Sequence, residues 1–275
     1  MSLDEQAETP ENDVRMTIWE HLQEFRVRVV RAAIGLFIGT ALCWNFRVNI
    51  LHWLTYPYER EWFERKFPGV PELQTLSPAD TFVGYLQLSF VGGFCIAIPI
   101  VFYQLWAFIS PGLYARERKF VYPFVFFSTF LFLSGVAFAY YVALPFTISY
   151  FFSLLGQISE GGMVLTQRPT MEYYLDFVTR MLIAFGFVFE LPLFITFMGI
   201  AGIVTPKQLL KFSRWAILLS FILGAIVTPG PEVTSQIAVS GALVLLYFMS
   251  IGLCYMFAKK KDEPTEAPAA PDASE

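Results

Sequence analysis

The chain has 275 residues, of which 56% are hydrophobic and only 15% are charged, against roughly 25% charged residues in an ordinary soluble domain. This composition, which includes 30 phenylalanines, argues against a soluble globular protein and indicates a membrane protein. The net charge of −4 does not indicate a class of partner, because the acidic residues cluster at the two ends and in one loop. No nucleic-acid partner is expected.

Hydrophobic runs in chain order predict an all-α integral membrane protein with six transmembrane helices, since a crossing needs about 20 mostly apolar residues. The runs are 32–46, 82–108, a stretch within 120–159, 173–203, 215–228 and 237–258. The first and fifth runs are short, so they could also be re-entrant segments. A polar acidic segment precedes the first run, which is therefore expected to be retained as an anchor and not cleaved as a signal peptide.

The distribution of lysine and arginine predicts that both termini face the cytoplasm. With this orientation the inner segments hold 13 basic residues and the outer segments hold five, while Arg180 lies within the fourth span. Residues 1–14 and 259–275 have the composition of disordered cytoplasmic tails. The membrane domain is expected to cover residues 15–258.

The inner end of the first span carries a charged helical pattern in "MTIWEHLQEFRVRVVR". Thr17 and Glu20 have the spacing of a capping box, and Glu24 and Arg28 are four residues apart on one helix face. Exposed pairs of this kind contribute little to stability, so a purely structural pair is one interpretation. The second inner loop holds another carboxylate, Glu117, between two arginines, and arginine in a ligand can bind a carboxylate bidentately.

The fourth span contains one acidic residue in the 24 residues from Met181 to Val204, namely Glu190. Ionisable side chains within a membrane are costly and are functional by default, although a neutral, hydrogen-bonded structural role is the alternative. Pro192 has no backbone N–H, so it is expected to interrupt the helix near this carboxyl. Gln104 and Gln236 are further polar residues within spans or at their ends.

Several kinds of chemistry are excluded by what the sequence lacks. It has no phosphate-binding glycine motif and no histidine within a predicted span, so a buried Ser–His pair is excluded. Three distant cysteines and two histidines predict neither a disulfide framework nor a metal site, and no cofactor is expected. Asp176 and Arg180, one turn apart, are interpreted as a local structural pair. We therefore do not expect an enzyme.

Five motifs resemble the TatC family, the polytopic core subunits of the twin-arginine protein translocase. They are "EHLQEFRVR", "SPADTF", "YQLWAFISPGLYARERKFVYPF", "FGFVFELP" and "TPGPEVTSQ", in that order, and the resemblance covers roughly residues 16–257. It implies a concave, glove-like six-helix bundle with short fifth and sixth spans. It also implies a location in the bacterial inner membrane.

The resemblance implies a receptor that binds the twin-arginine signal peptides of folded cargo at the cytoplasmic face. With the single-span partners TatA and TatB, and by self-association, it would export cargo using the proton-motive force. Glu24, Glu117 and Phe108 would bind the signal peptide, whereas Glu190, Gln104 and Gln236 would form intramembrane polar or docking positions. Arg180 and Gln87 depart from the family pattern.

Two other functional classes are alternatives to a translocase. A proton-coupled transporter of a small solute, with Glu190 as its proton carrier, would predict repeated halves with matching broken helices, and no convincing repeat is found. An intramembrane hydrolase would lack its base.

Overall fold

The computed structural model describes residues 18–109, 121–157, 164–165, 168–227 and 233–257. Its helices in chain order are α1 (Ile18–Asn45), α2 (Arg47–Glu64), α3 (Pro78–Ile109), α4 (Val121–Phe138), α5 (Leu144–Ser153), α6 (Met171–Val188), α7 (Leu191–Ile200), α8 (Pro206–Val227) and α9 (Val233–Phe257). A π-helical turn, Ala139–Ala143, joins α4 to α5. Two short antiparallel strands, β1 (Gly156–Gln157) and β2 (Val164–Leu165), precede α6.

Six helical segments within these described ranges are long and apolar enough to cross a membrane, which confirms the predicted number of spans. They are Ile18–Asn45, Pro78–Ile109, Val121–Ser153, Met171–Ile200, Pro206–Ala225 and Gln236–Met256. The last two are the shortest, with 20 and 21 residues. The first and fifth spans are longer than the uncharged runs, because the helices continue through the basic residues at their inner ends.

Helix α2 lies in the segment that follows the first span, where no helix was predicted from the sequence. The hydroxyls of two tyrosines from other spans donate to its backbone: Tyr140 to the Trp53 carbonyl at 2.7 Å and Tyr174 to the Leu54 carbonyl at 2.8 Å. These bonds tie α2 to the third and fourth spans.

Helix α1 packs along α3 at very close range. The contact centres on Gly39 and Gly93, where a Cβ added to Gly39 would lie only 2.5 Å from the Gly93 carbonyl oxygen. Glycine at both positions therefore lets the two backbones touch. The antiparallel pairing brings the N-terminal end of α1 beside the C-terminal end of α3.

The fourth span is broken in the middle, as Pro192 predicted. Helix α6 ends at Val188 and α7 begins at Leu191, so Glu190 lies in the break. The helical pattern resumes with a bond from the Phe194 N–H to the Glu190 carbonyl at 3.0 Å. Gly135 of α4 packs against this region, since a Cβ there would lie 2.9 Å from the Phe189 Cβ.

The hydrophobic core is concentrated in α2 and in the second, third and fourth spans. Its two largest clusters of buried residues draw on α2 to α7, with a single contribution from α9. Helix α8 packs mainly on α9, which also packs on α7. A third, small cluster stabilises this pair of helices, and the Tyr247 hydroxyl donates to the Leu209 carbonyl at 2.7 Å.

Candidate functional site

Glu24 lies near the N-terminal end of α1, where it forms the predicted pair with Arg28. Its Oε1 accepts from the Arg28 Nε at 2.9 Å and from a second guanidinium nitrogen of the same residue. The other oxygen, Oε2, is buried and has no hydrogen-bond partner among the described residues, with His21 Nδ1 4.0 Å away. Half of the carboxylate is therefore occupied and half can accept another donor.

Phe108 lies beside this carboxylate because α1 and α3 are antiparallel. Its ring stacks on His21 with a centroid separation of 4.4 Å and contacts Phe25 at 5.3 Å. Residues 21 and 25 flank Glu24 on the same helix, so Glu24 and Phe108 share one surface, as the family resemblance implied. His21 was not among the residues predicted for this site, although its i, i+3 spacing from Glu24 can be seen in the sequence.

A groove of about 400 Å³ opens on the same face of α1. Its described lining comes from Glu20, Gln23, Glu24, Val27, Arg28 and Arg31. Both signs of charge are present, so a cationic ligand would meet carboxylates and would compete with Arg28 for Glu24. Thr17 and Glu117 lie outside the described residues, so the structure tests only the α1 half of the expected site.

Glu190 forms a second polar site, within the membrane span. Its Oε1 is buried without a hydrogen-bond partner among the described residues, while the Ser128 hydroxyl and the Phe132 backbone of α4 lie next to the carboxyl. Ser128 is itself buried and accepts a bond of 2.9 Å from the Trp106 indole N–H of α3. Trp106, Ser128 and Glu190 thus link three spans through polar groups.

Gln104 and Gln236 occupy different environments. The Gln104 Oε1 is buried and has no partner among the described residues. Gln236 at the start of the sixth span donates to the Phe221 carbonyl of α8 at 3.2 Å. Within the described part of the chain, no hydrogen bond joins Gln104, Gln236 and Glu190 to one another, so they are separate polar positions.

Arg180 pairs locally with Asp176 at 2.8 Å, as its spacing predicted. The arginine side chain is nevertheless 79% exposed on the surface of the protein. Next to this pair, Gln87 of α3 donates to the Thr179 hydroxyl of α6 at 2.9 Å. Gln87 and Arg180, two of the positions that depart from the family pattern, therefore lie near each other, because Gln87 bonds to the residue that precedes Arg180 on α6.

Comparison with known proteins agrees with the motifs. The family model described as Sec-independent protein translocase protein (TatC) matches residues 20–241. A protein of this name from Desulforapulum autotrophicum is 39% identical over 91% of this chain and 88% of its own length. The protein of the same name from Aquifex aeolicus is 34% identical over 92% of this chain and 100% of its own length.

Solved structures give the same result for the fold. A crystal structure described as the twin arginine translocase receptor TatC is 33% identical and superimposes with a TM-score of 0.68, covering 86% of this chain and 99% of that one. A second, described as the same receptor in DDM, is 32% identical with a TM-score of 0.70 and covers 85% and 99%. The similarity extends over the whole six-span architecture.

Proposed function

The chain belongs to the TatC family of Sec-independent protein translocase proteins, and from this membership we propose that it is the receptor for twin-arginine signal peptides. It is a multi-pass membrane protein and a core component of the Tat system, not an enzyme. The signal peptides belong to folded cargo proteins and bind at the cytoplasmic face. This membership favours the translocase over the proton-coupled transporter of a small solute.

The proposed location is the bacterial inner membrane, with both termini in the cytoplasm. The bias of 13 basic residues on one side against five on the other supports this orientation. Single cysteines are placed at positions 5, 70 and 265 of an otherwise cysteine-free version of the protein. Labelling of intact cells is expected to modify position 70 and to spare positions 5 and 265. Labelling of position 265 from outside would contradict the orientation.

The observation that carries the proposal is the half-occupied carboxylate of Glu24. Its side chain is 19% exposed and lines the groove along α1, with one oxygen bound to Arg28 and the other without a partner among the described residues. A guanidinium is planar and matches a carboxylate bidentately, which a lysine ammonium does not. Glu117, nine residues after Phe108, is proposed to supply the second carboxylate for the second arginine.

The partners TatA and TatB are proposed to dock on the polar positions within the spans, and assembly into a multimeric receptor is proposed with them. Glu190 and Gln104 each keep a buried oxygen without a partner among the described residues. A helix that carries a polar side chain could satisfy such an oxygen in place of lipid. Export is proposed to be driven by the proton-motive force.

The test is the affinity of a twin-arginine signal peptide, and of its twin-lysine variant, for the full chain in nanodiscs. We expect the arginine peptide to bind more tightly and Glu24→Gln to reduce the difference. Glu64→Gln is the matched control, because Glu64 bonds to Arg60 at 2.6 Å on α2, in the outer segment between the first two spans. Equal affinity of the two peptides for the unmodified protein would contradict the pairing.

A further inference from the structure

A cavity of about 310 Å³ lies between α2 and the segment that leads to α3. Its polar lining residues are His52, Thr55, Tyr58, Glu59 and Glu72, and the rest of the wall consists of aliphatic side chains and a proline. No lysine or arginine lines it among the described residues. The cavity therefore has both acidic and apolar residues on each of its two walls.

The two carboxylates of this cavity differ from the other acids of the same region. On α2, Glu61 pairs with Arg65 and Glu64 pairs with Arg60, each at 2.6 Å. Glu59, by contrast, accepts only the Thr55 hydroxyl at 2.8 Å. Neither Glu59 nor Glu72 forms an ion pair with any described residue, so the unpaired acids of this region are the ones that face the cavity.

Tyr58 provides an independent observation that points to a ligand at this cavity. It lines the cavity, is only 4% exposed, and its hydroxyl is buried without a hydrogen-bond partner among the described residues. Buried hydroxyls normally have a partner. Burial raises the pKa of Tyr58 to about 12, so the phenol stays neutral and offers one donor and one acceptor.

Both walls of the cavity are fixed by contacts outside it. Helix α2 is tied to the third and fourth spans through the tyrosine bonds to Trp53 and Leu54. The segment with Glu72 is tied to the start of α6, where Gln74 N donates to the Pro169 carbonyl at 3.0 Å and Met171 N donates to the Gln74 carbonyl at 2.8 Å. A ligand would therefore meet a preformed site.

We propose that this cavity binds one cationic group of a polypeptide, a lysine or arginine side chain or an amino terminus. Two carboxylates without an ion pair attract the charge, the Tyr58 hydroxyl accepts a hydrogen bond from the cationic group, and the aliphatic wall receives the hydrocarbon stem. A phospholipid ammonium fits less well, because its phosphate would approach the same carboxylates with no lysine or arginine among the described lining residues to receive it. The site lies at the opposite end of the first span from Glu24 and goes beyond the proposed function; its assignment to the outer face rests on the proposed orientation.

The experiment uses the full chain in nanodiscs of phosphatidylcholine, a lipid without a primary amine. The probe is the peptide acetyl-Gly-Lys-Gly-amide, followed by saturation-transfer NMR, which detects weak ligands, and its norleucine analogue is the uncharged control. We expect only the lysine peptide to bind, and the double variant Glu59→Gln/Glu72→Gln to weaken its binding at least about tenfold. Glu61→Gln/Glu64→Gln removes two paired acids from the same helix and is expected to leave binding unchanged.

Tyr58→Phe gives a second test that does not depend on the charged variants being stable. The hydroxyl has no partner among the described residues, so its removal is expected to leave the thermal unfolding temperature unchanged and to weaken peptide binding about threefold. Equal binding of the lysine and norleucine peptides, or unchanged binding in both the double variant and Tyr58→Phe, would overturn the proposal. O-phosphoethanolamine binding as tightly as the lysine peptide would assign the site to a lipid headgroup instead.

Discussion

Glu24 and Glu190 are both carboxyl groups with one buried oxygen that has no partner among the described residues, but their remaining contacts are of opposite kinds. At the inner end of α1, Glu24 is held by a cation on its own helix, Arg28. In the break of the fourth span, Glu190 lies against a hydroxyl and the backbone of α4. An ion pair near water can exchange one guanidinium for another, whereas a polar network among apolar helices favours a partner that brings hydrogen bonds.

The largest expected effect is at Glu190, where two substitutions distinguish a hydrogen-bonding role from proton transfer. Glu190→Leu removes the polar group and is expected to abolish export, while Glu190→Gln keeps its size and hydrogen bonding and is expected to retain much of it. Export of a twin-arginine cargo measures both, and signal-peptide affinity is expected to change little in either. If Glu190 instead transfers protons, Glu190→Gln fails as fully as Glu190→Leu, and normal export by Glu190→Leu at normal protein levels would contradict both roles.

The next effect concerns the second carboxylate at the inner face. Glu117→Ala is expected to weaken binding of a twin-arginine signal peptide about thirtyfold, because one charge-assisted contact of about 2 kcal/mol is lost. Insertion of the variant into the membrane and its amount in the cell are expected to stay the same. Unchanged affinity would show that Glu117 does not contribute to signal-peptide binding. Glu24 would then be the single carboxylate of the proposed site.

A smaller effect is expected from the hydroxyl that links Glu190 to α3. Ser128→Ala leaves the buried Trp106 N–H without its acceptor, so the free energy of unfolding is expected to fall by about 1 kcal/mol. Thermal unfolding in detergent measures it. Thr129→Val is the matched control, since the Thr129 hydroxyl donates only to the Val125 carbonyl of its own helix at 2.8 Å. Equal losses in the two variants would show that the Trp106 bond adds nothing.

The smallest effect tests whether Arg28 competes with the ligand. Arg28→Gln frees the occupied oxygen of Glu24 and is expected to tighten signal-peptide binding about twofold, or about 0.5 kcal/mol, the size of an i, i+4 ion pair. Arg26→Gln removes the same charge from an exposed position that forms no ion pair with a described residue. Identical affinities for the two variants would mean that only the overall charge of α1 matters.

Local spacing predicted several features of these sites correctly. The pairs Glu24–Arg28 and Asp176–Arg180 follow from residues four apart on a helix, and the break beside Glu190 follows from the missing N–H of Pro192. Each of these features depends on a few consecutive residues. The six spans were also predictable, because an apolar run of sufficient length has few alternatives.

Contacts between distant segments could not be predicted in the same way. The Trp106–Ser128–Glu190 arrangement joins three spans, and nothing in the sequence around Ser128 indicates which helix it faces. Helix α2 was missed because its charged and aromatic residues lack the pattern of a span, and bonds from Tyr140 and Tyr174 help to hold it. These features depend on packing, which a single sequence does not encode locally.

The backbone contact between Gly39 and Gly93 divides α1 into two arms of unequal length. Gly39 is 15 residues from Glu24 and six residues from Asn45, so the arm towards Glu24 is about 22 Å long and the arm towards Asn45 is about 9 Å long. A rigid tilt of α1 about this contact would displace Glu24 more than about twice as far as Asn45. A small shift of α2, which follows Asn45 directly, would then be amplified at the groove beside Glu24.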